Sequence, residues 1–245
     1  MIMDIPSTKA IIQESWTKTL VVGHRGAAAY KPENTLPAFE EGIACLASAV
    51  ECDVYTSKDG ELMVMHDATL DRTTKLKGKV METDAATMKA GGVPTLDELT
   101  DLTKDRVVLI IEIKDGVEIE KKVTDMIARK KMEDQTIIFS FETDHIRKAE
   151  DLNPSVFSVW LVGRKLDPTN NYASLFDEIK TCGSNGLGLS YSEVTPEVVK
   201  AAKDQHIPVF VWTVPPGDQV DRLKLLGVNF IITNHPRDVR TQLGL

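Results

Sequence analysis

Short β-branched runs alternate regularly with helical stretches along most of the sequence. Such alternation predicts parallel strands wrapped by helices, because the connection between parallel strands usually contains a helix. The runs are almost entirely apolar, as expected for strands that are covered on both faces. The strand candidates are Leu20–His24, Ala49–Tyr55, Leu62–His66, Val107–Lys114, Thr136–Ser140, Phe157–Leu161, Gly186–Leu189, Pro208–Thr213 and Phe230–Ile232. The helix candidates are Thr35–Ala47, Thr95–Leu102, Val117–Lys131, Asp144–Leu152, Tyr172–Cys182, Thr195–Gln205, Gln219–Leu226 and Pro236–Leu243.

One of these strands is expected to be antiparallel. Only six residues separate Tyr55 from Leu62, and a parallel crossover needs about a dozen or more. The gap contains Asp59-Gly60, which is a strong signal for a two-residue hairpin turn. We therefore predict that Leu62–His66 is the return arm of a β-hairpin. The eight remaining strands then form an α/β fold, a single (β/α)8 TIM barrel with a hairpin and a short insertion after its second strand.

The turn also predicts a register for the hairpin. If it centres on Asp59-Gly60, Lys58 faces Glu61. Counting outward along the two arms then places His66 opposite Asp53.

The chain is expected to be one catalytic domain over residues 1–245. Residues 1–19 are predicted to be an N-terminal helical extension, and residues 67–94 an insertion loop, because long irregular stretches in compact domains are usually functional or partly structured. The three cysteines, Cys45, Cys52 and Cys182, fit neither a zinc site nor a disulfide framework. A reducing compartment is the simplest interpretation of that pattern.

Charge and hydropathy exclude several classes of partner. The net charge is −8 and the sequence pI is about 5.2, so the surface repels nucleic acid and anionic lipid. The N-terminus lacks the pattern of a secretory signal, and the sequence contains no apolar stretch of the length that spans a bilayer. We expect a cytoplasmic protein without stable membrane association, and the sequence carries no signal for an oligomeric state.

Acidic residues occur at two-residue spacing on two of the predicted strands. Glu51 and Asp53 share one face of their strand, and Glu112 and Lys114 share one face of another. Three converging carboxylates would suit one divalent cation, Mg²⁺ or Ca²⁺, better than Zn²⁺. The alternatives are a buried ion pair beside a solvated acid in the first strand and a salt bridge without function in the second.

Two histidines lie at strand ends, where barrel sites concentrate. His24 is followed by Arg25, whose planar fork can hold a phosphate. His66 is followed by Asp67, which can orient the imidazole ring. Two histidines near one metal would suit general acid and general base catalysis. Trp212, near the end of a late strand, can be a wall for substrate or a core residue.

Several short motifs recur here in a characteristic order. They are HRG, five residues and PENT over residues 24–35, ECDV over 51–54, HD at 66–67, PTLDEL over 94–99, IEIK over 111–114 and VWTV around Trp212. In this order and spacing the chain resembles the glycerophosphodiester phosphodiesterase family, from about Leu20 to the TNHP motif near the end.

The resemblance implies a (β/α)8 fold and metal-dependent hydrolysis of small glycerophosphodiesters to glycerol 3-phosphate and an alcohol. It implies that His24 and His66 act as general acid and base, in an order that stays open. The metal ligands would be Glu51, Asp53 and Glu112, while Arg25 and Lys114 would hold the phosphate and Trp212 would contact the substrate. Glu33 and Asn34 would be positioning residues. The nucleophile can be water or the glycerol 2-hydroxyl.

The chain departs from the family pattern in three places. Pro215 and Pro216 follow VWTV where Asn is usual, Asn234 stands where Asp is frequent, and the insertion is short. Two other functions compete with the one implied. The first is a lysophospholipase D, which would apply the same chemistry to lysophospholipids. The second is a non-catalytic barrel that binds a phosphoester.

Overall fold

The computed structural model describes residues 7–245. The strands are β1 (Leu20–Gly23), β2 (Ala49–Thr56), β3 (Leu62–Val64), β4 (Val108–Asp115), β5 (Thr136–Ser140), β6 (Phe157–Val162), β7 (Gly186–Ser190), β8 (Val209–Trp212) and β9 (Phe230–Thr233). The α-helices are α1 (Thr8–Ser15), α2 (Leu36–Ala44), α3 (Ala85–Ala90), α4 (Leu96–Thr103), α5 (Ile119–Lys130), α6 (Thr143–Leu152), α7 (Ala173–Cys182), α8 (Pro196–Asp204), α9 (Asp218–Leu226) and α10 (Pro236–Leu243).

Eight parallel strands close into a barrel. They follow the order β1-β9-β8-β7-β6-β5-β4-β2, and β1 also pairs with β2, which closes the circle. Helices connect successive strands around the outside, as parallel pairing requires. The predicted (β/α)8 fold is confirmed.

Alternate residues of each strand point into the barrel. On the side of the strand N-termini this interior is apolar, and Val22 and Ile110 belong to one buried cluster there. Ile11 of α1 belongs to the same cluster, and the hydroxyl of Thr8 donates to the carbonyl of Thr136 at the start of β5. Helix α1 therefore covers the N-terminal end of the barrel. The first six residues of the predicted N-terminal extension lie outside the described residues.

The β2–β3 hairpin exists as predicted, but its turn is one residue longer. The N–H of Ser57 donates to the carbonyl of Glu61 at 2.8 Å, so three residues rather than two form the loop. The last of them, Gly60, has φ +89°, the left-handed conformation common in three-residue hairpin loops. The predicted turn centred on Asp59-Gly60 is therefore wrong.

The longer turn shifts the hairpin register by one residue. The N–H of Met65 donates to the carbonyl of Asp53 at 2.9 Å, so the predicted pairing of His66 with Asp53 is wrong. Strand β3 ends at Val64. His66 consequently stands in the loop that follows, outside the strict alternation of a strand.

The insertion between β3 and α4 has a small core of its own. It contains a 3₁₀ turn at Val80–Glu82 and helix α3. Its buried apolar side chains form a cluster separate from both barrel clusters. The members of this insertion cluster are Met63, Met65, Leu70, Val80, Ala85, Met88 and Val93.

None of the helices within residues 7–245 combines the length and the hydropathy needed to cross a membrane. Cys45, Cys52 and Cys182 are all buried and unpaired.

Candidate active site

A cleft of about 150 Å³ opens at the C-terminal ends of the barrel strands. It brings together every predicted site residue except Asp53, which lies buried beneath it at 1% exposure. The residues that line the cleft are His24, Arg25, Glu51, His66, Glu112, Lys114, Phe139, Phe141, Leu161, Trp212, Thr213 and Ile232.

Three carboxylates converge at the base of the cleft because of strand alternation and register. Glu51 and Asp53 follow the inward-facing Ala49 on β2, and Asp53 lies directly opposite Glu112 of β4. One oxygen from each of the three lies within 4.8 Å of the others. All three side chains are buried, so their mutual repulsion is weakly screened.

The pKa values of these groups reflect that crowding. Burial, together with the neighbouring Asp53 and Glu112, holds the pKa of Glu51 well above its usual range. Burial and Asp53 raise the pKa of Glu112 to about 7. Burial also acts to raise the pKa of Asp53, but the Lys114 ammonium and the Arg25 guanidinium outweigh it and lower that pKa.

Two cations border the carboxylates. The Lys114 ammonium lies 3.0 Å from Oδ1 of Asp53 and also contacts Glu112. Arg25 Nε lies 3.4 Å from Oδ2 of Asp53. The backbone of Arg25 has φ +50°, and its N–H donates to Oε2 of Glu51 at 3.0 Å. Asn34 donates from Nδ2 to Asp53 at 2.8 Å, so these groups enclose the cluster.

This cluster could hold a divalent cation. Asp53 Oδ1 and Glu112 Oε1 are buried and make no hydrogen bond of normal geometry, despite their contact with Lys114. Oxygen atoms without hydrogen-bond partners, from carboxylates already near one another, match the ligands of Mg²⁺ or Ca²⁺.

His24 has a neutral partner on the side of its ring that faces away from the carboxylates. Its Nδ1 lies 2.6 Å from Oδ1 of Asn234, and its Nε2 lies 4.0 Å from Oε2 of Glu51. Burial, reinforced by the charge of Arg25, lowers the pKa of His24 to about 4. The ring is thus held neutral, with Nε2 on the side of the carboxylates. The contact with Asn234 was not predicted, although this position had been noted as a departure from the family pattern.

His66 has a charged partner. Its Nδ1 lies 2.7 Å from Oδ1 of Asp67. Hydrogen bonds from Arg72 to this carboxylate, with a further bond from His66, hold the pKa of Asp67 well below its usual range. Asp67 is also the residue that the sequence predicts to orient the ring.

Apolar side chains form the wall opposite the charged groups. Phe141, after β5, packs edge-on against Trp212 with 5.4 Å between ring centroids. The indole N–H of Trp160 donates to the carbonyl of Phe141 at 3.1 Å, which fixes the backbone behind the ring. Five residues that line the cleft were not predicted as site residues from the sequence: Phe139, Phe141, Leu161, Thr213 and Ile232. Their positions at or just after inward-facing strand ends were the only available signal.

The two prolines after VWTV do not alter this cleft. Pro215 and Pro216 are exposed, and neither lines it. Val214, just before them, is buried, and its N–H donates to the carbonyl of Ile232.

Comparisons with known proteins agree on one family. The sequence profile of the Glycerophosphoryl diester phosphodiesterase family matches residues 24–238. A glycerophosphodiester phosphodiesterase of Caldanaerobacter subterraneus is 32% identical over 89% of this chain and 95% of its own length.

Solved structures share the fold. The crystal structure of a glycerophosphodiester phosphodiesterase from Thermotoga maritima matches with a TM-score of 0.74 and 26% identity, covering 89% of this chain and 96% of that one. An Oleispira antarctica phosphodiesterase in complex with the product sn-glycerol-3-phosphate matches with a TM-score of 0.81 and 20% identity, covering 94% and 98%. The profile match and the identity to the first relative place this chain, as the sequence resemblance implied, in the glycerophosphoryl diester phosphodiesterase family of hydrolases.

Proposed function

We propose that this protein hydrolyses glycerophosphodiesters to glycerol 3-phosphate and an alcohol. The observation that carries the proposal is that His24 and His66 line the same cleft as a three-carboxylate cluster and two cations. The names of the relatives, and the sn-glycerol-3-phosphate bound to the Oleispira protein, support a substrate of this class.

We propose that Glu51, Asp53 and Glu112 hold one divalent cation, Mg²⁺ or Ca²⁺. When bound, this ion would polarise the phosphoryl group and offset the charge of the three carboxylates. The oxygens of Asp53 and Glu112 that lack hydrogen bonds support this role. Arg25 and Lys114 lie at the same place and would neutralise charge on the phosphate oxygens in the transition state.

His24 is proposed as the general base. Its lowered pKa, about 4, leaves the ring neutral at pH 7. Its Nδ1 is engaged by Asn234, so Nε2 is the atom that can accept the proton of the nucleophile. The nucleophile's oxygen, from water or from the glycerol 2-hydroxyl, then forms the new bond to phosphorus. With the 2-hydroxyl the first product is a cyclic phosphate, which a water molecule opens in a second step.

His66 is proposed as the general acid. The ionised Asp67 accepts a hydrogen bond from Nδ1 and orients the ring, as a carboxylate partner does in other histidine sites. As the bond from phosphorus to the alcohol breaks, the alkoxide leaves with the bonding electrons and takes the proton from Nε2 of His66. The partners differ in charge, since Asn234 is neutral and Asp67 is negative, and this difference supports the division of roles.

The size of the cleft favours a small diester over a lysophospholipid. Its volume of about 150 Å³ is below the roughly 300–1,000 Å³ of pockets for drug-sized ligands. The apolar wall, including Trp212, would contact the glycerol or the alcohol. The net charge of −8 also speaks against nucleic acid as a partner.

We also propose that the chain works as a single catalytic unit. The groups that meet in the cleft span residues 24–232, and Asn234 supports one of them. The first and last strands close the barrel by pairing with each other. No shorter segment contains the whole site.

The experiment is to measure release of glycerol 3-phosphate from glycerophosphocholine, first with EDTA and then with Mg²⁺ or Ca²⁺ restored. We expect release that depends on the ion. A parallel assay with lysophosphatidylcholine tests the lysophospholipase D alternative. Absence of release from either substrate with any metal, on folded protein, would contradict the proposal and favour a barrel that only binds.

A further inference from the structure

Arg72, in the insertion, forms two bidentate ion pairs at once. Its Nη1 and Nη2 donate to the two oxygens of Glu33 at 2.8 and 2.7 Å. Its Nε and Nη2 donate to the two oxygens of Asp67 at 2.7 and 2.9 Å. A planar guanidinium is the one side chain whose donors match two carboxylates in this way.

Each of these carboxylates holds a residue of the proposed catalytic site. Asp67 accepts from Nδ1 of His66 at 2.7 Å, and Glu33 accepts from Nη1 of Arg25 at 2.7 Å. Hydrogen bonds from Arg72, with Arg25 as the second contributor, lower the pKa of Glu33 to about 2 against its partial burial. Both carboxylates therefore stay ionised and keep their hydrogen-bonding role.

The two residues held in this way come from different parts of the fold. Arg25 follows β1 in the barrel, whereas His66 follows β3 and precedes the insertion. In the part of the chain that the structure describes, the Glu33–Arg72–Asp67 bridge is the chain of ion pairs that joins them. None of the three residues of the bridge lines the cleft.

We propose that Arg72 is a positioning residue that sets the placement of His66 relative to Arg25 across the cleft. The inference rests on the proposed function, because it assigns Arg72 a role in that same site. Arg72 touches neither the carboxylate cluster nor the cleft, so it acts through Asp67 and Glu33. Its side chain is 48% exposed, which screens its ion pairs, but bidentate pairs within a network also stabilise the fold. Its effect on activity is therefore to be measured on protein that remains folded at the assay temperature.

The test compares R72A, R72K and a matched control, R147A. Arg147 is 50% exposed and also lies between two carboxylates, Asp144 and Asp151, but on helix α6 away from the cleft. We expect R72A to lower kcat for glycerophosphocholine by about 10²-fold, the scale of a misplaced catalytic group. R72K should recover little, because one ammonium cannot bind both carboxylates bidentately. R147A should keep the wild-type rate, and the unfolding temperature of each variant is measured so that rates are compared on folded protein.

Two further measurements separate positioning from a structural role. Guanidinium ion added to the assay should restore part of the activity that R72A loses through misplacement of His66. It would not restore activity that is lost because the protein unfolds. The ¹⁵N shifts of the His66 ring report its hydrogen bonding and tautomer without any substrate, and they should change in R72A because Asp67 is no longer held in place by Arg72. Wild-type rates for R72A, or unchanged His66 shifts together with no rescue, would overturn the proposal. An inactive wild-type protein would instead contradict the proposed function, and the ring shifts would still test Arg72.

Discussion

Asp53 lies directly opposite Glu112 across the β2–β4 ladder, so two buried carboxylates occupy one level of the barrel. No neutral residue separates the two carboxylates, because Asp53 and Glu112 are direct partners in the ladder. Glu51 lies on the same face of β2, two residues before Asp53. The Lys114 ammonium, 3.0 Å from Oδ1 of Asp53, offsets part of the negative charge of these carboxylates. A proton and the proposed divalent cation would therefore compete for the same oxygens.

Cation affinity should therefore fall as the pH is lowered through about 7. The pKa of Glu112 is raised to about 7 by burial and by Asp53, so below that pH the group is protonated and a cation must displace the proton. Calorimetry with Mg²⁺ or Ca²⁺ at pH 6 and 8, in buffers of different ionisation enthalpy, measures the released proton. The E112Q variant should bind the cation weakly and release fewer protons on binding than the wild-type protein does. Equal proton release in E112Q and the wild-type protein would contradict the assignment of Glu112 as the group whose proton the cation displaces.

N234D should raise the pKa of His24. The wild-type value of about 4 reflects burial and Arg25, and the neutral amide of Asn234 offers no charge to oppose them. A carboxylate at this position favours the protonated ring and so raises the pKa of His24. Because the proposed base must be neutral, the acidic limb of the kcat/KM profile should move to higher pH. N171D adds the same charge at an exposed site and should leave the limb in place.

H66A should slow turnover by about 10²–10⁴-fold, the usual contribution of a general acid or base. The loss should be much smaller with a p-nitrophenyl glycerophosphodiester, since p-nitrophenolate leaves without a proton. H24A should lose activity with both substrates, because deprotonation of the nucleophile is needed in either case. Equal losses for H66A with both leaving groups would contradict the assignment of His66 as the acid.

G26A should destabilise the fold by roughly 2–4 kcal/mol through strain and overpacking. Gly26 has φ +87°, and a Cβ there would lie 2.4 Å from the backbone carbon of Ala38 in α2. G78A is the matched control, since Gly78 has φ +103° but an added Cβ meets nothing within 4 Å. Urea unfolding of both variants separates the clash from the strain. A G26A cost no larger than that of G78A would show that α2 moves aside.

The alternation of strands and helices was sufficient to predict the barrel, because burial on both faces and the rule for parallel crossovers leave few other arrangements. The two-residue spacing also predicted which carboxylates would share a face, and β2 and β4 pair so that Asp53 and Glu112 meet. Both predictions depend on local periodicity, which can be read from a single sequence.

Longer-range relationships were not accessible in the same way. The hairpin register depended on whether Gly60 closes a loop of two or three residues, and both are compatible with Asp59-Gly60. The contacts of His24 with Asn234 and of Glu33 with Arg72 join residues 210 and 39 positions apart. No periodicity links such positions, so only the folded chain reveals them.

The separate core of the insertion has a consequence for the spacing of the two histidines. His24 directly follows strand β1 of the barrel, whereas His66 directly follows Met65, a member of the insertion cluster. The distance between the two rings thus depends on how two independently packed apolar clusters sit against each other. Substitutions at Met88 or Leu70 are therefore expected to change the spacing of the two rings, although neither residue lines the cleft.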